Sequence, residues 1–208
     1  MLKTSSSLQE SSSSPKSSIS NVLLVILFQW KHKPMDLKIS NFSVTQSLIV
    51  AATSFDAYCR VNQIFCDELN EMFDHCWKFS SISNTGEDYG FSDWLDECND
   101  LYLAGLGEQI PESVAEKIPE AIKDEFYELL CCFTEIVHSV AWAKVTDEPI
   151  ENMKKVIAFS SRHGIPEPDI SKYMIEKKDS DADNFCPEIT IEELELWRSI
   201  SQNYLSSL

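Results

Sequence analysis

Two short carboxylate patterns carry the clearest chemical potential in the chain. Glu68-Leu-Asn-Glu71 is followed, after 25 residues, by Glu97-Cys-Asn-Asp100. On a helix, a spacing of three sets both carboxylates of a pair on one face. Two such helices packed face to face would gather four oxygens around Mg²⁺, a hard cation that prefers oxygen ligands. The ion would then orient a triphosphate and an attacking water. Glu68, Glu71, Glu97 and Asp100 are therefore candidate metal ligands. The same residues have a second reading as the solvated faces of surface helices.

Other reactive residues lack workable spacing. Cys131 and His138 are two turns apart on one helical pattern, about 10.5 Å, whereas a nucleophilic Cys needs an imidazole within about 3–4 Å. Cys59 and Cys66 are separated likewise, and the neighbours His75 and Cys76 point in different directions. No C-x-x-C, zinc-ligand spacing or nucleophile elbow occurs. Gly105-Leu-Gly107 follows a helix and has acidic flanks, which is the wrong setting for a phosphate loop. Trp77, Trp94, Trp142 and Trp197 fit core stripes. No catalytic residue and no organic cofactor is indicated.

The elements that must position these residues are helices. Five Gly in 208 residues and long periodic runs predict an all-α fold, without alternation bounded by hairpin turns. Ser43-Val-Thr-Gln46 is a capping box. The apolar pattern behind it, from Leu48 to Trp77, is either one long helix or two with a break near Cys66-Asp67. Residues 80–90 form a polar loop. Ser92 is a candidate cap for a helix with an apolar stripe at Trp94, Leu95, Cys98, Leu101 and Tyr102. Its other side carries Asp93, Asp96, Glu97 and Asp100. A connector over 105–119 leads to the longest helix, about 119–145, which the density of its apolar positions places centrally. A helix restarting at Pro149 ends at Gly164 and Pro166, and Asp169 opens a short helix to Lys178. An acidic linker over 179–188 precedes a second capping box, Thr190-Ile-Glu-Glu193, and a C-terminal helix. The expectation is a single-domain bundle of six or seven helices over 36–208.

Two resemblances bear on these patterns. Asp67-Glu-Leu-Asn-Glu-Met and Asp96-Glu-Cys-Asn-Asp-Leu resemble the MazG-like all-α nucleotide pyrophosphohydrolases. That resemblance implies Glu68, Glu71, Glu97 and Asp100 as ligands of catalytic Mg²⁺. Over 43–208 the layout is similar to the YjaG-like bacterial helical proteins, a family of unassigned function. The similarity lies in Leu48-Ile-Val-Ala-Ala-Thr-Ser-Phe-Asp-Ala-Tyr-Cys59, in Phe73-Asp-His-Cys-Trp77 and in Glu135-Ile-Val-His-Ser139 followed by Thr146-Asp-Glu-Pro149. It implies a helical fold and supplies no activity.

Charge then separates the function classes. The chain holds 17 Lys+Arg against 34 Asp+Glu, a net of −17, at 43% apolar and 25% charged residues. This composition excludes collagen-like, fully disordered and multi-span membrane proteins. Its acidity argues against nucleic acid or an anionic membrane as partner, because phosphate is repelled. Residues 61–116 contain thirteen acids and one base, Lys78. Residues 1–35 differ: ten of the first twenty are Ser, and an apolar run from Val22 to Trp30 ends at Lys31-His32-Lys33-Pro34. That run is too short to span a membrane and lacks a small-residue cleavage site. The segment is expected to be a disordered or over-translated tail, with Met35 as the start of the globular pattern. Seven Cys without pairing motifs match reduced, cytoplasmic usage. The leading expectation is a non-enzymatic binding module, of immunity or antitoxin type, meeting a basic protein through 61–116 and in particular Asp93, Asp96, Glu97 and Asp100. The alternative is the Mg²⁺-dependent nucleotide pyrophosphohydrolase.

Overall fold

The computed structural model describes residues 42–79, 90–141, 147–174 and 189–208. All of them lie in one compact unit, 38–208. The Ser-rich tail, the run from Val22 to Trp30, Met35, Trp142, Cys186 and the linker over 179–188 lie outside the described residues. Among those described there are eight α-helices, two 3-10 turns and no strand. The helices are α1 (Val44–Val61), α2 (Asp67–Lys78), α3 (Phe91–Asp96), α4 (Asp100–Gly105), α5 (Glu112–Ala115), α6 (Lys123–Ala141), α7 (Glu148–Arg162) and α8 (Ile191–Leu205). No helix of the described residues is long and apolar enough to cross a membrane.

The helix α1 begins at the expected capping box. Ser43 Oγ accepts from the Gln46 amide at 3.2 Å, and Gln46 Oε1 accepts from the Ser43 amide at 2.8 Å. Nearly every residue from Val44 to Cys59 is buried. An enclosed helix of this kind needs its polar side chains satisfied. Thr53 and Ser54 donate to the carbonyls of Ile49 and Val50, and Ser160 of α7 donates to the Ser54 carbonyl at 2.8 Å.

The helix ends at Val61, which separates α1 from α2. The Ile64 amide donates to the Cys59 carbonyl at 2.8 Å and the Gln63 amide to the Arg60 carbonyl at 3.1 Å. This is a Schellman end, with Ile64 buried against the helix it closes. Its left-handed position, φ 58°, is filled by Gln63 where glycine is usual. At Gly164, φ 75°, the same arrangement closes α7, as the sequence indicates.

The stretch expected as one helix after Ser92 is divided. Gly90, not Ser92, caps α3, and the Asp93 carboxylate accepts from the Gly90 amide at 2.7 Å. Asn99 then opens α4, its Oδ1 accepting from the Tyr102 amide at 3.1 Å. This division raises the helix count above six or seven. Downstream, Pro119 leads into a 3-10 turn, Glu120–Ile122, before α6 starts at Lys123. A second 3-10 turn, Ile170–Tyr173, stands where a helix from Asp169 was expected.

The central helix α6 packs on α1, α4 and α7. Phe55 of α1 sits amid aromatic rings, 5.4 Å from Phe133 and 5.5 Å from both Phe126 and Phe73. Trp94 joins α3 to α2. It is fully buried and stacks on His75, with ring centroids 4.7 Å apart. Its indole N–H donates to the His75 carbonyl at 3.1 Å, and His75 Nε2–H donates to the Trp94 carbonyl at 2.8 Å.

Burial holds the His75 imidazole below its ordinary range, so the folded protein keeps it neutral. The unfolded chain takes up that proton near the usual histidine value of about 6.5. Stability from this site is therefore intact above about pH 6.5 and is lost as the pH falls below it, at no more than about 1.4 kcal/mol per pH unit. Urea unfolding of the wild type and of His75→Gln between pH 8 and 5 should show the wild type losing more. Parallel curves would contradict the assignment.

Candidate functional site

The carboxylates of 61–116 are the first candidate. Of the eleven described acids in this stretch, ten are exposed and Glu68 is half-buried. Three helix starts meet at Glu68. Asn99, which caps α4, donates to the Glu68 carbonyl at 2.7 Å, and Ser113 of α5 donates to the Glu68 carboxylate. That hydroxyl is the main cause holding the Glu68 carboxyl below its usual range. Asp67 and Glu68 occupy the first turn of α2, where the helix dipole favours negative charge, and His75 and Lys78 occupy its last turn. Like charges can therefore gather here without a metal between them.

The four-oxygen site expected from Glu68, Glu71, Glu97 and Asp100 is not assembled. The break at Asn99 separates the second pair. Asp100 follows the cap that bonds to Glu68, at the start of α2, whereas Glu97 lies 3.9 Å from Lys78 at its end. Ten residues of helix, about 15 Å, lie between those two points. Among the described residues no group of three or more His, Cys, Asp and Glu could hold a metal ion. Asp93, Asp96, Glu97 and Asp100 are all exposed, but they span α3, its C-cap at Glu97 and the start of α4 instead of one face of a single helix. Asp93 is partly committed to capping.

The thiols are placed as structural side chains. Cys59, Cys76 and Cys98 are buried, Cys66, Cys131 and Cys132 are half-buried, and all six are free. Burial raises each of them, Cys98 to about 12, so the unreactive thiol predominates. One cluster unforeseen in the sequence is built at Glu125. The Tyr58 hydroxyl donates to Glu125 Oε1 at 3.0 Å, and His163 Nε2 lies 2.5 Å from the same oxygen. These bonds tie α1, α6 and the end of α7 together.

The second candidate is a cleft of about 430 Å³ framed by α1, α2 and α8. Three helical stripes line it: 52, 53, 56 and 60 of α1; 70, 73, 74 and 77 of α2; and 198, 201, 202 and 205 of α8. Its floor is closed by the buried hydroxyl pair Thr53 and Ser201, 2.8 Å apart, which Tyr173 joins at 3.0 Å. Arg60 is held by Asp56 through two bonds, at 2.8 and 3.1 Å. Arg198 reaches over the Trp77 ring, 5.4 Å from its centroid. Trp94 and Trp197 are core residues as expected, but Trp77 is only half-buried and forms a wall of this cleft. The cleft is not legible in the sequence because its residues come from three distant segments. No local pattern marks it, because Asp74 and Arg198 are exposed like any surface charge and Asp56 alone of the lining charges is half-buried. No family model, no curated protein and no solved structure matches the chain.

Proposed function

We propose that the protein is a binding module that meets a basic protein partner through the acidic helices of 61–116. The observation that carries this reading is the outward placement of ten of the eleven described acids there, with Lys78 as the stretch's one base. A surface of one sign steers a partner of the opposite sign and repels nucleic acid. An immunity or antitoxin role, neutralising a basic protein by covering it, fits this chemistry. Six free cysteines support a reducing, cytoplasmic location.

Asp96 and Asp100 are exposed and make no side-chain bond to the core, so reversing them forfeits chiefly the favourable charge of Asp100 in the first turn of α4, about 1 kcal/mol or less. The tagged protein should capture a basic protein from extract at low salt. The double variant Asp96→Lys/Asp100→Lys should hold that protein at least about tenfold more weakly. Equal capture by the variant, or capture that survives high salt unchanged, would contradict the reading.

A further inference from the structure

The cleft framed by α1, α2 and α8 is a second candidate ligand site, which shares Asp74 with the acidic stretch but none of Asp93, Asp96, Glu97 and Asp100. Two acids and two arginines line it, with Arg60, Asp74 and Arg198 at its exposed rim. Asp56 and Arg60 neutralise each other. The other two charges, Asp74 of α2 and Arg198 of α8, are not within ion-pair distance of each other or of any other described residue. The Arg198 guanidinium carbon lies over the Trp77 ring, 5.4 Å from its centroid, and no described residue accepts a hydrogen bond from it. Asp74 and Trp77 are one turn apart on the same face of α2. An open bidentate donor, an open carboxylate and an aromatic wall therefore share a space of about 430 Å³, within the range of small-molecule sites.

We propose that this cleft binds a small zwitterion, an α-amino acid with an apolar or aromatic side chain. Arg198, over Trp77, takes the carboxylate as a fork, Asp74 takes the ammonium, and the side chain lies along Ala52, Phe73 and Leu205. A simple anion would meet Asp74, and a simple cation would meet Arg198. Only a ligand carrying both charges satisfies both, which is how this balanced cleft would discriminate.

The test is calorimetric titration of the full chain with L-phenylalanine, phenylacetate and phenethylamine. L-phenylalanine should bind, and each single-charge analogue should bind at least about tenfold more weakly. Arg198→Met and Asp74→Asn should each weaken L-phenylalanine binding by a similar factor, with melting temperatures near that of the wild type showing that both variants fold. Repeating the titration with L-leucine tests whether the wall accepts an aliphatic side chain. No heat from any amino acid at millimolar concentration, equal binding of phenylacetate, or binding unaffected by Arg198→Met would each overturn the proposal. The acidic-face variants leave both charges in place, so the two readings fail independently.

Discussion

Trp94→Ala should lower the stability of the fold by about 3–5 kcal/mol, the range for a fully buried large aromatic cut back to Cβ. The indole is enclosed by His75 on its face and by Phe79 and Tyr102 at centroid distances of 5.0 and 5.4 Å. Its removal leaves a cavity among α2, α3 and α4 and strips the His75 carbonyl of its side-chain donor. Because α3 has six residues, it cannot hold its place by its own helical propensity. The loss should therefore be felt locally as well as globally, with amide exchange in 90–105 rising most. Trp94→Phe should fall between wild type and Ala, since it fills most of the space and lacks the donor. Guanidinium unfolding measures the order. A cost below about 1 kcal/mol for Trp94→Ala would mean that α3 is not anchored by this side chain.

Gly105→Ala should destabilise by about 1–3 kcal/mol, the usual cost of overfilling a packed contact. Alanine favours a helix over glycine by roughly 1 kcal/mol, so a loss here runs against local propensity. The reason is close approach. A Cβ at 105 would lie 2.5 Å from Thr134 Cγ2, 2.6 Å from Thr134 Oγ1 and 3.0 Å from the Leu130 carbonyl oxygen. Thr134 is itself fully buried in α6. Thr134→Ala removes two of those three atoms, and the Thr134 hydroxyl serves only carbonyls of its own helix. The double variant should therefore be more stable than the sum of the two single changes by about 1 kcal/mol. Simple additivity would contradict the packing of α4 on α6.

These two positions show what the sequence makes legible. Trp94 reads correctly as core because it lies on an apolar stripe at helical spacing. Gly105 reads as a loop residue, because one glycine beside Gly107 looks the same whether it turns the chain or admits a neighbour. Both capping boxes are local four-residue patterns and form as written. The end of α1 at Gln63 is hidden, because the residue in the left-handed position is not glycine or asparagine. Asn99 is hidden for a different reason. Inside Glu97-Cys-Asn-Asp100 it looks like a spacer between two carboxylates, yet its side chain caps one helix and grips another. That one residue splits the expected helix and separates the expected metal ligands. The cleft depends on α8 returning to α1, a contact between residues 53 and 201 that no local pattern encodes.

The acidity of 61–116 is legible as a count, and its outward projection from joined helix starts is the structural addition. If that surface steers a basic partner, its effect lies chiefly in the association rate. The most direct measurement is the rate constant for association with the captured partner at ionic strengths from about 10 mM to about 1 M, over which the screening length shrinks roughly tenfold. The rate should fall at least tenfold across that range, and Asp96→Lys/Asp100→Lys should flatten the dependence. A rate indifferent to salt, or a double variant as steep as the wild type, would contradict steering by that surface.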